Sequence, residues 1–166
     1  MKYSYRYGDN FSASTELQNM VNEWYKSGTE CIFSCGGEMC DSVFEAALAN
    51  NGKSIGVDVD QSSVSDTVIT SAMKGLSSGV QKILTSFYAG KWVLVGGLSS
   101  NLGVDDNAVG LSFATSKFEK FTEGEYVKLV NSMKSGGTLE VKNDFSAFLA
   151  GGETFENVCL LYTSDA

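Results

Sequence analysis

Apolar positions along this chain switch between a period of two and a period near 3.6, and the switches mark out alternating strands and helices. Tyr3, Tyr5 and Tyr7 alternate with Lys2, Ser4 and Arg6, the pattern of a strand with one aromatic face. Gly8-Asp9-Asn10 is a turn, and Phe11 follows it. Leu17, Met20, Val21, Trp24 and Tyr25 then recur at helical spacing. Thr15 and Gln18 are spaced as a capping box, with Ser12 or Ser14 as alternative caps, and Lys26-Ser27-Gly28 closes the helix. Residues 31–35 read as a second strand that stops at Gly36-Gly37. A helix follows over about 41–49, with Val43, Ala46, Ala47 and Leu48 available for packing and Asn50-Asn51-Gly52 as its stop. Residues 54–60 are the next strand, an apolar run ending in Asp58 and Asp60.

Strand, helix, strand, helix and strand with short joints predict an α/β fold, a parallel sheet with helices on its faces. Right-handed crossovers bring the three strand tips to one edge of that sheet. Phe11, Gly36-Gly37 and Asp58/Asp60 are therefore expected together. Beyond them, residues 68–71 read as extended. Met73, Leu76, Val80, Ile83, Leu84 and Phe87 follow a helical period up to Gly90, which puts Lys74 in the first turn of that helix. Residues 92–98 read as a strand, 99–107 as a polar loop and Val109-Gly110-Leu111 as a small strand. Thr122 and Glu125 form a capping box, and Tyr126, Leu129, Val130 and Met133 make a buried stripe behind it. A last strand at 138–141 and an apolar cluster of Phe145, Phe148 and Leu149 complete the pattern.

Composition narrows the chemistry. The 166 residues suffice for one domain with a proper core, and 43% hydrophobic with 19% charged residues is ordinary for a globular protein. A net charge of −8 argues against nucleic acid or an anionic membrane as partner, since both select basic patches. The chain has no His, which removes Cys-His and Ser-His catalysis. Cys31, Cys35, Cys40 and Cys159 form no Cys-x-x-Cys pair, so a zinc site is not expected; Cys31 and Cys35 read as buried structural thiols. No metal, cofactor or catalytic residue is assigned.

Three features carry candidate chemistry. Gly36-Gly37, after a strand and before a helix, lets backbone approach a ligand closely, or serves only as a tight turn. The G-x-G-x-x-G dinucleotide pattern is absent, and Gly52-Lys53-Ser54 fails as a P-loop because Ala47 stands where its first Gly belongs. Asp58 and Asp60, two apart on a strand, are expected on one face. Three readings stay open for them: a Mg²⁺ site as in receiver-type domains, acceptors for the hydroxyls of a vicinal diol, or a solvated strand end. Lys74 at a helix start opposes the macrodipole, a hint of function beside the plainer reading of a surface lysine. Phe11 is either a staple for the first helix or an exposed ring for a planar ligand.

The motifs then line up with a family. Gly8-Asp9-Asn10-Phe11-Ser12, Ile32-Phe33-Ser34-Cys35-Gly36-Gly37, Gly56-Val57-Asp58-Val59-Asp60-Gln61, Thr70-Ser71-Ala72-Met73-Lys74 and Val109-Gly110-Leu111 follow one another as in the basic membrane protein family. The chain resembles these ABC-transporter solute-binding lipoproteins, which include purine nucleoside receptors, from about residue 3 to 141. The resemblance implies a periplasmic-binding-protein-like (class I) fold of two α/β lobes around a cleft. It implies that residues 1–158 are the C-terminal part of that domain, with the N-terminal lobe largely missing and binding correspondingly feeble. It also implies that an aromatic at Phe11 stacks on a nucleobase, that backbone near Gly37 approaches the ligand, and that Asp58 and Lys74 hold ribose hydroxyls. Asp60 and Gln61 belong to the motif without an assigned contact. The loop Glu38-Met39-Cys40 departs from the small residues common in the family. An ABC permease is the implied partner, and an extracytoplasmic, lipid-anchored setting the implied location.

Residues 159–166, CLLYTSDA, resemble the translation of a sequencing-library adapter, which would make them an artefact; an apolar terminal strand is the alternative. Together these features read as a binding module for a nucleoside-like solute. The competing reading is a receiver- or flavodoxin-like domain that binds Mg²⁺ or a phosphorylated ligand at Asp58/Asp60.

Overall fold

The computed structural model describes residues 4–8, 10–136 and, for the backbone alone, 158–162. The expected strand at 138–141 and the cluster of Phe145, Phe148 and Leu149 lie outside these.

Six strands form one sheet: β1 (Ser4–Tyr7), β2 (Cys31–Cys35), β3 (Lys53–Asp58), β4 (Val68–Lys74), β5 (Val109–Leu111) and β6 (Val158–Tyr162). Their order is β1-β6-β2-β3-β4-β5. All neighbours run parallel except β5, which is antiparallel to β4. The sheet is therefore mixed but mainly parallel, and the carboxyl ends of β1 to β4 share one edge, as the topology requires.

Two helices cover the sheet. α1 (Thr15–Lys26) is capped by Ser14, whose Oγ accepts from the Leu17 amide at 3.1 Å. This is one of the alternatives to the Thr15/Gln18 box. α2 (Met39–Ala49) begins two residues earlier than its periodicity suggests. The helices are tied at their starts: the Ser14 amide donates to Ser42 Oγ at 2.9 Å, and that hydroxyl donates to the Ser14 carbonyl at 3.1 Å. Between helices and sheet lies the main core, with Leu17, Val21 and Tyr25 of α1 against Ile32, Met39, Val43, Ala46 and Ala47. A second cluster joins Cys40 and Phe44 to Val57 and Val68, with Phe33 and Cys35 packed against it.

From Gly75 onward the packing loosens. α3 (Leu76–Tyr88) keeps its amphipathic period but buries none of its residues. Residues 92–98 do not form the expected strand: Trp92–Leu94 is a 3₁₀ turn, and among the described residues no ladder partner lies alongside. The Trp92 ring is set edge-on to Phe87 at 5.7 Å, while Val93, Leu94 and Leu98 stay exposed. α4 (Glu123–Lys134) carries the expected Thr122/Glu125 capping box. Its expected buried stripe is corrected by the structure. No residue of α4 is buried, and Leu129 is half exposed. The helix is held at its first turn, where Tyr126 stacks on Phe113 at 5.3 Å and its hydroxyl accepts from the Leu111 amide at 3.0 Å, and at its last, where Lys134 Nζ donates to Asn107 Oδ1 at 3.1 Å.

Candidate functional site

β2 ends at Cys35, and the chain turns through Gly36-Gly37 into α2. Gly37 has φ +52°, a region that L residues adopt at a cost. A Cβ at Gly37 would stand 3.4 Å from Phe11 Cβ. The Met39 amide donates to the Phe11 carbonyl at 2.8 Å. The segment after β1 and the turn after β2 are thereby joined. Phe11 remains 46% exposed, so its ring is presented at the edge and is not tucked under α1.

β3 ends in a different way. Asp58 has φ +67°, uncommon for a residue with a side chain, and the Val59 amide donates to the Val57 carbonyl at 2.8 Å. The chain thus reverses in a γ-turn centred on Asp58. For this reason Asp58 and Asp60 do not share a face as strand alternation predicted. Asp58 reaches toward β4, its Oδ1 2.9 Å from Lys74 Nζ. That oxygen is closed off from solvent, and no donor among the described residues meets it in hydrogen-bonding alignment, so the contact is an ion pair. Asp60 is turned to the segment after β5. Its Oδ2 accepts from Thr115 Oγ1 at 2.7 Å and its Oδ1 from the Ser62 amide at 3.0 Å. The Thr115 hydroxyl, and then the Ser62 amide, hold the Asp60 carboxyl below the usual carboxylate range.

Lys74 is also placed differently from its expected helical position. It is the last residue of β4, where pairing with β3 and β5 extends the strand beyond the start of the helical period; Lys74 itself is opposite Val109. α3 begins only at Leu76. The lysine therefore does not oppose a helix dipole. Its ammonium is held charged above its ordinary range by the adjacent Asp58 carboxylate.

Sequence reasoning passed over two neighbours. Cys35, read as structural, lies half-buried at the tip of β2. Burial pushes its thiol pKa up, the Lys74 charge pulls it down and the Asp58 charge raises it again. Its place directly before Gly36-Gly37 was the available signal. Gln61, left without a role, accepts from the Val57 amide through Oε1 at 2.8 Å and donates its own amide to Ser71 Oγ at 3.0 Å. Side-chain to backbone pairing of this kind has no periodic signature.

The structure thus brings Phe11, Gly36-Gly37, Asp58 and Lys74 to one sheet edge and turns Asp60 aside. A carboxylate beside an ammonium offers acceptors and donors at the spacing of neighbouring hydroxyls. An exposed ring beside a glycine turn offers a platform for a planar group. Among the described residues, no group of three or more His, Cys, Asp or Glu is arranged to hold a metal ion.

Comparison with one solved structure shows a shared fold. A Bacillus halodurans protein described as a transcriptional activator of the comK gene superposes with a TM-score of 0.61 at 19% identity, over 82% of this chain and 47% of that one. Solute-binding proteins of an ABC transporter system from Aeropyrum pernix K1 match at 20% identity with a TM-score of 0.48, over 86% of this chain and 42% of that one. The chain therefore spans about half the length of the structures it matches. A search of curated proteins gave no match. Residues 1–142 match the family model Bmp, described as ABC transporter substrate-binding protein PnrA-like, and with that match over most of its length the chain belongs to this family of substrate-binding proteins.

Proposed function

We propose that this chain is part of the binding component of an ABC importer and that its sheet edge receives a nucleoside of the purine type, or a similar small polar solute. The observation that carries this reading is the ion pair between Asp58 and Lys74, 2.9 Å apart on adjacent strand tips. Asp58 accepts from the sugar hydroxyls while Lys74 donates to them. Phe11 stacks on the base, and the Gly36-Gly37 turn lets main chain come close to it. The protein binds and releases its solute without chemistry, by closure of two lobes around it. It works beside a membrane permease, in an extracytoplasmic, lipid-anchored setting in the whole protein. Asp60 belongs to the supporting loop and not to the clamp. That divergence counts against the alternative of a Mg²⁺ site built on both aspartates.

The test is a titration with inosine, guanosine and adenosine, followed by NMR so that millimolar affinities register, on the chain and on Asp58→Ala. Hydrogen bonds to a charged group contribute about 1.5–3 kcal/mol. The variant should therefore bind roughly ten- to a hundredfold more weakly. Shifts confined to residues away from the sheet edge would contradict the reading. A Mg²⁺-dependent rise in stability that Asp58→Ala abolishes would replace it with the receiver-like alternative.

A further inference from the structure

β3 ends at Asp58 in a γ-turn, and a side chain three residues further on, that of Gln61, bonds to the main chain of that turn. Pairing of β2 with β3 ends at Phe33 opposite Ile55. Val57 therefore lies beyond the last β2 partner, and residues of the following loop take its main-chain groups. Its carbonyl accepts from the Val59 amide at 2.8 Å, and its amide donates to Gln61 Oε1 at 2.8 Å. The loop is in turn fastened to β4: the Gln61 amide donates to Ser71 Oγ at 3.0 Å. The Ser71 amide donates to Ser112 Oγ at 2.9 Å, and the Ser112 amide to the Ser71 carbonyl at 3.1 Å. Ser71 and Ser112 are both buried. Gly56 leaves the space this needs, since a Cβ there would stand 2.6 Å from both Gln61 Oε1 and Ser71 Oγ.

A non-glycine residue at positive φ persists where its surroundings over-determine it. Gln61 supplies that constraint. We propose that Gln61 is the positioning residue for Asp58: its side-chain oxygen holds the Val57 amide, fixes the γ-turn, and so aims the Asp58 carboxylate at Lys74. Gln61 acts on Lys74 through Asp58. The inference rests on the reading of Asp58 as the solute's acceptor only for its effect on binding, so it is tested first without any ligand.

The readout is the Lys74 ammonium, followed by its ¹³Cε resonance across an alkaline titration. Gln61→Met keeps the length of the side chain and removes the acceptor. Asp58→Asn removes the partner charge. The Lys74 midpoint should fall in each single variant and fall no further in the double variant than in Asp58→Asn. Gln61→Asn, one methylene too short to reach Val57, takes the place of the methionine variant if that one does not fold. A Lys74 titration that stays at the wild-type midpoint in a folded Gln61 variant, whatever happens to its melting temperature, would overturn the proposal. In the binding arm, inosine is the probe. The loss of one neutral hydrogen bond corresponds to an affinity lowered by up to about tenfold in Gln61→Met, with no added loss in the Asp58→Asn background. Failure of wild-type chain to bind inosine would sink the nucleoside reading, while the Lys74 titration would still decide the role of Gln61.

Discussion

α1 and α3 have nearly the same length and both carry a helical period of apolar residues, yet they end up in opposite circumstances. α1 buries Leu17, Val21 and Tyr25 against β2 and α2. α3 buries nothing: Val80 is 59% exposed, and Leu76, Leu84 and Phe87 are exposed too. The apolar side of α3 lines an open groove of about 970 Å³ together with Leu98, Leu102 and Val109. The comparison separates two things that periodicity merges. A period of 3.6 declares that a helix has an apolar face, whereas burial depends on what stands opposite that face. Opposite α1 stand β2 and a second helix. Opposite α3, among the described residues, stand an irregular loop and the start of the short edge strand β5.

The contrast is most sharply tested by paired truncations. Ile32→Ala removes a fully buried side chain from the main core and should destabilise the chain by about 2–5 kcal/mol in urea unfolding. Val80→Ala, on the exposed face of α3, should change stability by no more than about 0.5 kcal/mol. Equal losses would show that α3 is packed in solution and would erase the distinction.

The next largest effect is a pH dependence confined to the well-packed half. Burial pushes the Cys31 thiol from 9.0 up to about 11, with nearby Lys53 pulling it down and Glu30 raising it slightly. A raised folded-state pKa means that the stabilisation is full below the unfolded value and is lost as pH rises through the folded one. Unfolding free energy should therefore fall between pH 9 and 11, by on the order of 2 kcal/mol from this group. Cys31→Ala should flatten that fall; an unchanged slope would show that the thiol ionises freely in the folded chain.

Helix caps give the smallest effect and divide the two regions again. Ser14→Ala removes the α1 cap while leaving the main-chain tie to Ser42 in place, and should cost about 1 kcal/mol of global stability. Thr122→Ala breaks a box that α4 makes with itself. It should speed amide exchange within α4 while leaving the global unfolding midpoint nearly unmoved.

Much of the first region was legible because local and global signals agree there. The alternating pattern up to Tyr7, the period of α1, the glycine turn at Gly36-Gly37 and the apolar run into Asp58 each name an element, and the crossover rule alone gathers their tips. The gathering of Phe11, Gly36-Gly37, Asp58 and Lys74 at one edge was legible, and the local geometry of Lys74 and Asp60 was misread. Lys74 was placed on a helix because Met73 and Leu76 fit a helical period, whereas pairing on both sides of β4 overrides that period. Asp60 was placed beside Asp58 because strands alternate, whereas a γ-turn interrupts the alternation between them. Gln61 was silent because a side chain that completes the hydrogen bonds of a strand end leaves no trace in periodicity or composition. In the second region, the misplaced strand at 92–98 and the stripe at Tyr126, Leu129, Val130 and Met133 were both inferred from pattern without knowledge of what lies opposite. The Thr122/Glu125 box was read correctly because it is satisfied entirely within the helix that it starts.

The central claim is that neighbouring hydroxyls of a solute meet Asp58 and Lys74. It is tested most directly by comparing inosine with 2′,3′-dideoxyinosine on the unaltered chain, with the resonances of Asp58, Lys74 and Phe11 followed during each titration. The account predicts that inosine perturbs all three residues, and that the dideoxy compound, keeping only the stacking contribution, binds at least about tenfold more weakly with little movement at Lys74. Equal binding of the two compounds, with Asp58 and Lys74 unmoved by either, would contradict it.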